Sequence, residues 1–76
     1  MKRYFFDVVS GDRSEYDYRG RDFPTVDAAN QLAELIALDL AIDPDGKWYG
    51  WTIKVRSAQG QQFSSVPVRD HSLAAA

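Results

Sequence analysis

Three carboxylates are the side chains of this sequence that come closest to a catalytic set. Asp7, Glu15 and Asp17 lie within one predicted hairpin, where Asp7 can approach either of the others across paired strands. Two neighbouring carboxyl groups can divide acid and base roles, because each shifts the proton affinity of the other. Carboxylates at such positions are also typical of turn capping and of solvated loops. We interpret them as structural, and an acid–base pair is the alternative.

Nucleophilic and metal chemistry have less support in the sequence. There is no cysteine, and the only histidine, His71, lies close to the C-terminus. A Ser–His–Asp site needs its base held firmly beside the nucleophile, and a thiolate metal site needs cysteine. The segment 43–46, Asp-Pro-Asp-Gly, resembles part of a calcium loop, but Ala41 and Thr52 stand where the first and last ligands belong. We therefore predict no enzyme activity, no cofactor and no metal site.

Cations and aromatic rings are interleaved along the third predicted strand. The candidate binding residues, on its outward face, are Lys47, Trp48, Lys54 and Arg56. Nucleobases stack on aromatic rings while phosphates pair with cations, so a sheet face of this kind is typical of single-stranded RNA binding. The same pattern also fits cation–π and cross-strand packing on a solvated face, or the seam of a homodimer.

The overall charge weighs against nucleic acid as the main partner. The formal net charge is −2 and the sequence pI is about 5.1, so the chain has no broad electrostatic grip on phosphates. We predict a small non-enzymatic interaction module that binds a protein partner or a second copy of itself. Weak single-stranded nucleic-acid binding by the aromatic and basic sheet face is the alternative function.

One helix, predicted over Thr25–Ile42, must position these residues. Thr25 is a plausible N-cap, and the proline that follows Asp43 ends the helix. Apolar residues recur with helical spacing and predict one buried stripe with a core of Leu32, Ile36 and Leu40. The stripe also contains Ala29 and Ala33. Two further residues, Leu35 and Leu38, widen the apolar stripe; we expect them to be partly exposed, as sheet-margin cover or as a second interface.

Four strands complete the predicted fold. Period-two alternation and turn residues place them at Lys2–Val9, Ser14–Tyr16, Lys47–Arg56 and Gln61–Val68, with a bulge near Ser64. Arg21–Pro24 is predicted as an extended lead-in to the helix. The fold class is α+β: a two-layer β-β-α-β-β sandwich with one helix on a four-stranded, mostly antiparallel sheet of order 2-1-3-4.

The chain length predicts one domain. Its 76 residues form a single domain over 1–69, followed by a disordered tail over 70–76 that lacks periodicity. No apolar stretch reaches membrane-spanning length. Asp7 interrupts the N-terminal apolar run, so we do not expect a signal peptide. With no cysteine in the chain, we predict a cytoplasmic protein without membrane contact.

Several short motifs resemble a known family. The opening Arg3–Asp7, the Asp17-x-x-Gly20-x-x-Phe23-Pro24 element and the alanine pair at 28–29 are similar to those of the DUF6894-like family of small bacterial proteins. So is the late hairpin that contains Gly60 and ends Val-Pro-Val. The resemblance spans roughly the whole chain up to Arg69 and implies a small cytoplasmic bacterial protein, without supplying a catalytic residue.

Overall fold

The computed structural model describes residues 1–69. They form strand β1 (Lys2–Ser10), strand β2 (Arg13–Glu15), strand β3 (Arg21–Phe23), helix α1 (Val26–Ala41), strand β4 (Thr52–Ser57) and strand β5 (Gln62–Pro67). The tail predicted over 70–76, which includes His71, lies outside the described residues.

All five strands belong to one antiparallel sheet. Its order is β2-β1-β4-β5, which is the predicted order 2-1-3-4. The predicted lead-in is a short fifth strand, β3, which pairs with β1 through Lys2↔Phe23 and Tyr4↔Arg21. Since β4 occupies the opposite side of β1, both β2 and β3 lie along the same edge of β1. One helix packed on one antiparallel sheet confirms the predicted α+β sandwich.

The helix begins where the sequence predicts. Thr25 is extended and its Oγ1 accepts a hydrogen bond from the N–H of Ala28 at 3.2 Å, which satisfies one donor of the first turn. Asp27 lies in that turn, near the positive end of the helix dipole. Ile42 is the C-cap, so the helix itself ends at Ala41, just before the predicted stop.

Small residues, not large ones, lie at the centre of the helix–sheet interface. The buried helix residues are Ala29, Ala33, Ala37 and Ala41. They pack against Ile53 and Val55, the largest fully buried side chains of the described chain. The predicted buried stripe is therefore confirmed at Ala29 and Ala33, but Leu32, Ile36 and Leu40 are wrong as its centre. These side chains are only partly buried and flank the core, because the alanine stripe lets the helix approach the sheet closely.

The strand predicted from Lys47 begins only at Thr52. Lys47–Gly50 form turns, closed by hydrogen bonds from Tyr49 N to Gly46 O (3.1 Å) and from Trp51 N to Trp48 O (3.1 Å). Gly50 has a φ of 86°, which lies outside the backbone range of a β-strand. The predicted strand boundary is therefore wrong: the alternation across this segment comes from aromatic residues of a turn.

The bulge of the last hairpin lies slightly earlier than predicted. Val55 pairs with Ser64 but Arg56 pairs with Gln62, so the register shifts there and Phe63 is the additional residue. Phe63 packs edge-on against Tyr4, at 5.8 Å between ring centroids. The bulge predicted near Ser64 is therefore one position off, and β5 is the terminal strand of the sheet, as the predicted order requires.

Candidate functional site

The four predicted binding residues do not form one site. Lys54 and Arg56 lie on β4, whereas Lys47 and Trp48 lie in the turn that precedes it. Lys54 pairs in register with Asp7 and Arg56 with Phe5, on the face of the sheet opposite Ile53 and α1. Trp48 instead packs against the margin of the hydrophobic core.

Arg56 is part of a structural ion pair. Its Nε donates to Oδ2 of Asp7 at 2.7 Å and its Nη2 to Oδ1 at 3.1 Å, a bidentate contact. The side chain of Asp7 is 5% exposed and that of Arg56 is 26% exposed. The guanidinium also lies 4.6 Å from the centre of the Phe5 ring. These contacts occupy the group that was predicted to bind a ligand.

Asp17 fills a gap in the hydrogen bonding of β1. Between β2 and β3, the N–H of Phe6 donates to Oδ2 of Asp17 at 3.2 Å in place of a strand partner. Oδ1 of Asp17 accepts from the N–H groups of Arg19 (3.0 Å) and Gly20 (3.1 Å). The N–H of Asp17 in turn donates to Oδ1 of Asp7 at 3.0 Å. The loop before β3 is thereby fixed to the outward face of the sheet.

The structure brings Asp7 and Asp17 together as the carboxylate-pair interpretation requires. Their contact runs through the N–H of Asp17, and Arg56 also donates to the main-chain carbonyl of Asp17 at 3.3 Å. A general acid that works near neutral pH needs a raised pKa, whereas the pKa of Asp17 is lowered. The arrangement therefore favours loop anchoring over proton transfer.

The pKa of Asp17 has a clear physical cause. Partial burial raises the pKa of this carboxyl group, but the N–H donors of Gly20, Arg19 and Phe6, together with the charge of Arg56, lower it by more. Because the folded-state pKa is the lower one, the carboxylate stabilises the fold fully above the unfolded value, about 3.9. That stabilisation is lost as the pH falls through the folded value.

We accordingly expect Asp17→Asn to weaken the acid dependence of stability. The wild type should lose free energy of unfolding between about pH 5 and pH 2, and the variant should start lower and decline less steeply. Urea denaturation across this range measures both curves. Asp12→Asn, in the exposed β1–β2 turn, is the matched control and should retain the wild-type decline. An Asp17→Asn curve parallel to the wild type would contradict the assignment.

Two tryptophans line a small cleft beyond the end of the helix. The rings of Trp48 and Trp51 meet edge to face, with centroids 5.1 Å apart. Arg13 lies 5.6 Å from the Trp51 ring and Lys47 lies 5.4 Å from the Trp48 ring. With Glu15 they enclose about 280 Å³. Sequence reasoning found Lys47 and Trp48 but missed Arg13, because only the strand register brings β2 beside this turn.

A second apolar stripe runs along the solvent side of α1. Leu35 is 62% exposed and Leu38 is 46% exposed, which confirms the expectation that they are at least partly exposed. Ile42, just after the helix, is 75% exposed. Beside the stripe, a shallow cleft of about 250 Å³ lies between α1 and β5 and is lined by Glu34, Ala37, Leu38, Val66, Pro67 and Arg69.

Comparison with known families tests the resemblance noted in the sequence. The model of a family described as a domain of unknown function, DUF6894, matches residues 3–69. The chain belongs to the DUF6894 family. The match spans every strand and the helix of the described structure, so the family corresponds to this fold. No curated protein and no solved structure matches the chain.

The structure explains one motif of this DUF6894 domain. In the Asp17-x-x-Gly20 element, the carboxylate accepts from the N–H of Gly20, and Gly20 has a φ of 68°. A Cβ atom at Gly20 would lie 2.9 Å from the carbonyl oxygen of Tyr4 and equally close to the Phe5 ring. The motif is therefore a device for placing the loop against β1.

Two kinds of site can be assessed across residues 1–69 of the DUF6894 domain. Within that range, no group of three or more His, Cys, Asp or Glu side chains is placed to hold a metal ion. None of the helices there is long and apolar enough to cross a membrane.

Proposed function

We propose that this DUF6894 domain is a non-enzymatic protein-interaction module that binds a second copy of itself through α1. The observation that carries the proposal is the exposed stripe of Leu35, Leu38 and Ile42. Single exposed apolar residues are ordinary on protein surfaces, but aligned and contiguous ones mark interaction sites. The buried face of the helix is formed by alanines, and Leu35 and Leu38 are not among the side chains that pack against the core.

The spacing of the stripe suits helix pairing. Positions 31, 35, 38 and 42 alternate steps of four and three, as in the seam of paired helices, with Gln31 as the polar end. Burying a large aliphatic side chain contributes about 1.5–3 kcal/mol, against an association cost of about 4–15 kcal/mol. Six such side chains in a dimer sum to about 9–18 kcal/mol, and a surplus of about 6 kcal/mol over the association cost corresponds to the dissociation constant that we expect, roughly tens of micromolar.

Charge at the rim of the neighbouring cleft fits a two-fold arrangement. Leu38, Val66 and Pro67 form its apolar part, and Glu34 and Arg69 lie among its lining residues. A two-fold axis places the same patch on both copies, so a patch with one acid and one base complements itself. Glu34 of one copy can then meet Arg69 of the other, which favours self-association over a uniformly charged partner.

The proposal assigns the domain no reaction. Its support is that the Asp7 and Asp17 carboxylates accept hydrogen bonds that hold the loop, and that Arg56 is occupied by Asp7. The absence of cysteine from the sequence suits action in a reducing compartment such as the cytoplasm.

Sedimentation velocity between about 5 and 300 μM, which brackets the expected affinity, tests the proposal. The wild type should move from monomer to dimer, and a Leu35→Gln/Leu38→Gln variant should stay monomeric. Glutamine keeps helix propensity, so the variant should fold with near-native stability. Tyr18→Gln removes a different large exposed side chain, outside α1, and should leave dimerisation unchanged. A strictly monomeric wild type would refute self-association, and equal dimerisation of both variants would refute pairing through α1.

A further inference from the structure

The cleft beyond the helix C-terminus combines aromatic surface with exposed positive charge. It is lined by Arg13, Glu15, Lys47, Trp48 and Trp51. We propose that this cleft binds a nucleobase that carries phosphate, either as a free nucleotide or as an unpaired nucleotide of a single strand. This function is separate from pairing through α1, and its site shares no residue with the exposed stripe.

The two indoles are held in a fixed arrangement. Trp51 N donates to Trp48 O at 3.1 Å, Val68 N donates to Trp51 O at 2.8 Å, and Gly50 N donates to Val68 O at 3.3 Å. The rings lie at 70° to each other. A base that stacks on one ring therefore meets the other as a side wall. Stacking on a pre-positioned ring is worth about 1–3 kcal/mol per base.

The cations are placed to pair with the phosphate of a stacked base. Within the described residues Arg13 makes no ion pair, and Lys47 has only a long contact of 3.9 Å to Asp43. Both side chains belong to exposed residues, and each lies within 5.6 Å of an indole centre. The base of a nucleotide can displace both cations from the rings, and its phosphate can then pair with them. This exchange is favourable because a phosphate ion pair is stronger than an exposed cation–π contact.

Glu15 gives the cleft a preference among bases. Its partner in register is Val8, whose other partner is Ile53, so Glu15 lies on the same side of the sheet as the tryptophans. A carboxylate accepts hydrogen bonds from an exocyclic amino group, as on cytosine or adenine, and repels the carbonyl oxygens of uracil. We therefore expect cytidine compounds to bind better than uridine compounds.

The size of the cleft limits the ligand. At about 280 Å³ it lies just below the usual volume of ligand pockets, about 300–1,000 Å³. It therefore accommodates one base, not a stack of several. The outward face of β4, where nucleic-acid binding was predicted, has fewer cations to contact a phosphate. Arg56 is paired with Asp7, which leaves Lys54 as the other predicted cation on that face.

Intrinsic fluorescence tests the proposal without a label, because Trp48 and Trp51 are the only tryptophans in the sequence. The full chain at low salt is titrated with cytidine monophosphate, uridine monophosphate and an oligocytidylate of roughly eight nucleotides, long enough for a single-strand site. We expect saturable quenching, with cytidine monophosphate bound at least about threefold more tightly than uridine monophosphate, a modest bias for one hydrogen bond. Tighter binding of the oligonucleotide identifies a single strand as the source, and equal binding identifies a nucleotide.

Two charge reversals locate the site. Arg13→Glu should weaken cytidine monophosphate binding about tenfold, as expected for one phosphate contact at low salt. Lys54→Glu makes the same charge change on the opposite face and should leave binding within about twofold, the effect of net charge alone. Both positions are at the surface of strands, and circular dichroism verifies the fold. Absence of saturable quenching by all three ligands, or equal weakening by both variants, would overturn the proposal.

Discussion

Replacing Arg56 by methionine is expected to lower the free energy of unfolding by about 3 kcal/mol, since removing one partner of a buried ion pair costs about 3–5 kcal/mol. The variant leaves the Asp7 carboxylate, which is 5% exposed, without its bidentate donor. It also removes the guanidinium from the Phe5 ring and from the Asp17 carbonyl. We place the loss at the lower end of that range because the Arg56 side chain is 26% exposed.

A double-mutant cycle separates the ion pair from simple loss of packing. Asp7→Asn combined with Arg56→Met removes both charges, so the double variant should be more stable than Arg56→Met alone. Urea denaturation of the wild type, both single variants and the double variant measures the coupling. Additive losses would show that Asp7 and Arg56 act independently, and a loss below about 1 kcal/mol for Arg56→Met would show an ordinary surface pair.

Gly20→Ala is expected to lower the free energy of unfolding by about 3 kcal/mol, because it combines a left-handed backbone with a steric clash. Gly20 has a φ of 68°, where a Cβ atom is disfavoured. The new atom would lie 2.9 Å from the carbonyl oxygen of Tyr4, which cannot move without bending β1. The loop that Asp17 anchors must therefore lift from the sheet.

Gly11 provides the matched control for backbone strain. It has a φ of 57°, but a Cβ atom there would meet nothing within 4 Å. Gly11→Ala should therefore cost only the left-handed penalty, about 1–2 kcal/mol. Thermal and urea unfolding of the two variants measure the difference directly. Equal destabilisation would mean that the loop does not press against Tyr4 and Phe5.

Together these variants define what the outward face of the sheet does. Partly buried hydrogen bonds join β1 to β4 and to the loop that precedes β3. They are made by Asp7, Asp17 and Arg56. Because these polar groups already bond to one another, this face has few of them left to contact a ligand. That is the physical reason why the proposed functions lie on α1 and in the tryptophan cleft.

Much of the fold could be predicted from sequence because its signals are local. Thr25 and the proline after Asp43 bound the helix, and short connections between antiparallel neighbours predicted the strand order. The core was harder, because apolar periodicity ranks large residues above small ones. The predicted stripe included Ala33 but missed Ala37 and Ala41, which are buried, whereas Leu32 lies at the flank.

The candidate sites depended on contacts between distant residues. Arg56 and Asp7 are 49 positions apart, so no spacing rule indicates that they pair. Their pairing makes Arg56 a structural residue and not a ligand contact. The turn containing Trp48 has the alternation of a strand, and only Gly50, with its positive φ, signals the break. Arg13 reaches the same cleft through the register of β2 with β1.

Intermolecular paramagnetic relaxation tests the proposed pairing of α1 most directly. The chain has no cysteine, so Gln31→Cys introduces a single attachment site for a spin label at the end of the exposed stripe. Mixed with ¹⁵N-labelled wild type, the labelled chain should broaden the amide signals around Leu35, Leu38 and Ile42 and spare Lys54 on the outward face. No broadening at about 200 μM, well above the expected dissociation constant, or broadening centred on Lys54, would contradict the proposal.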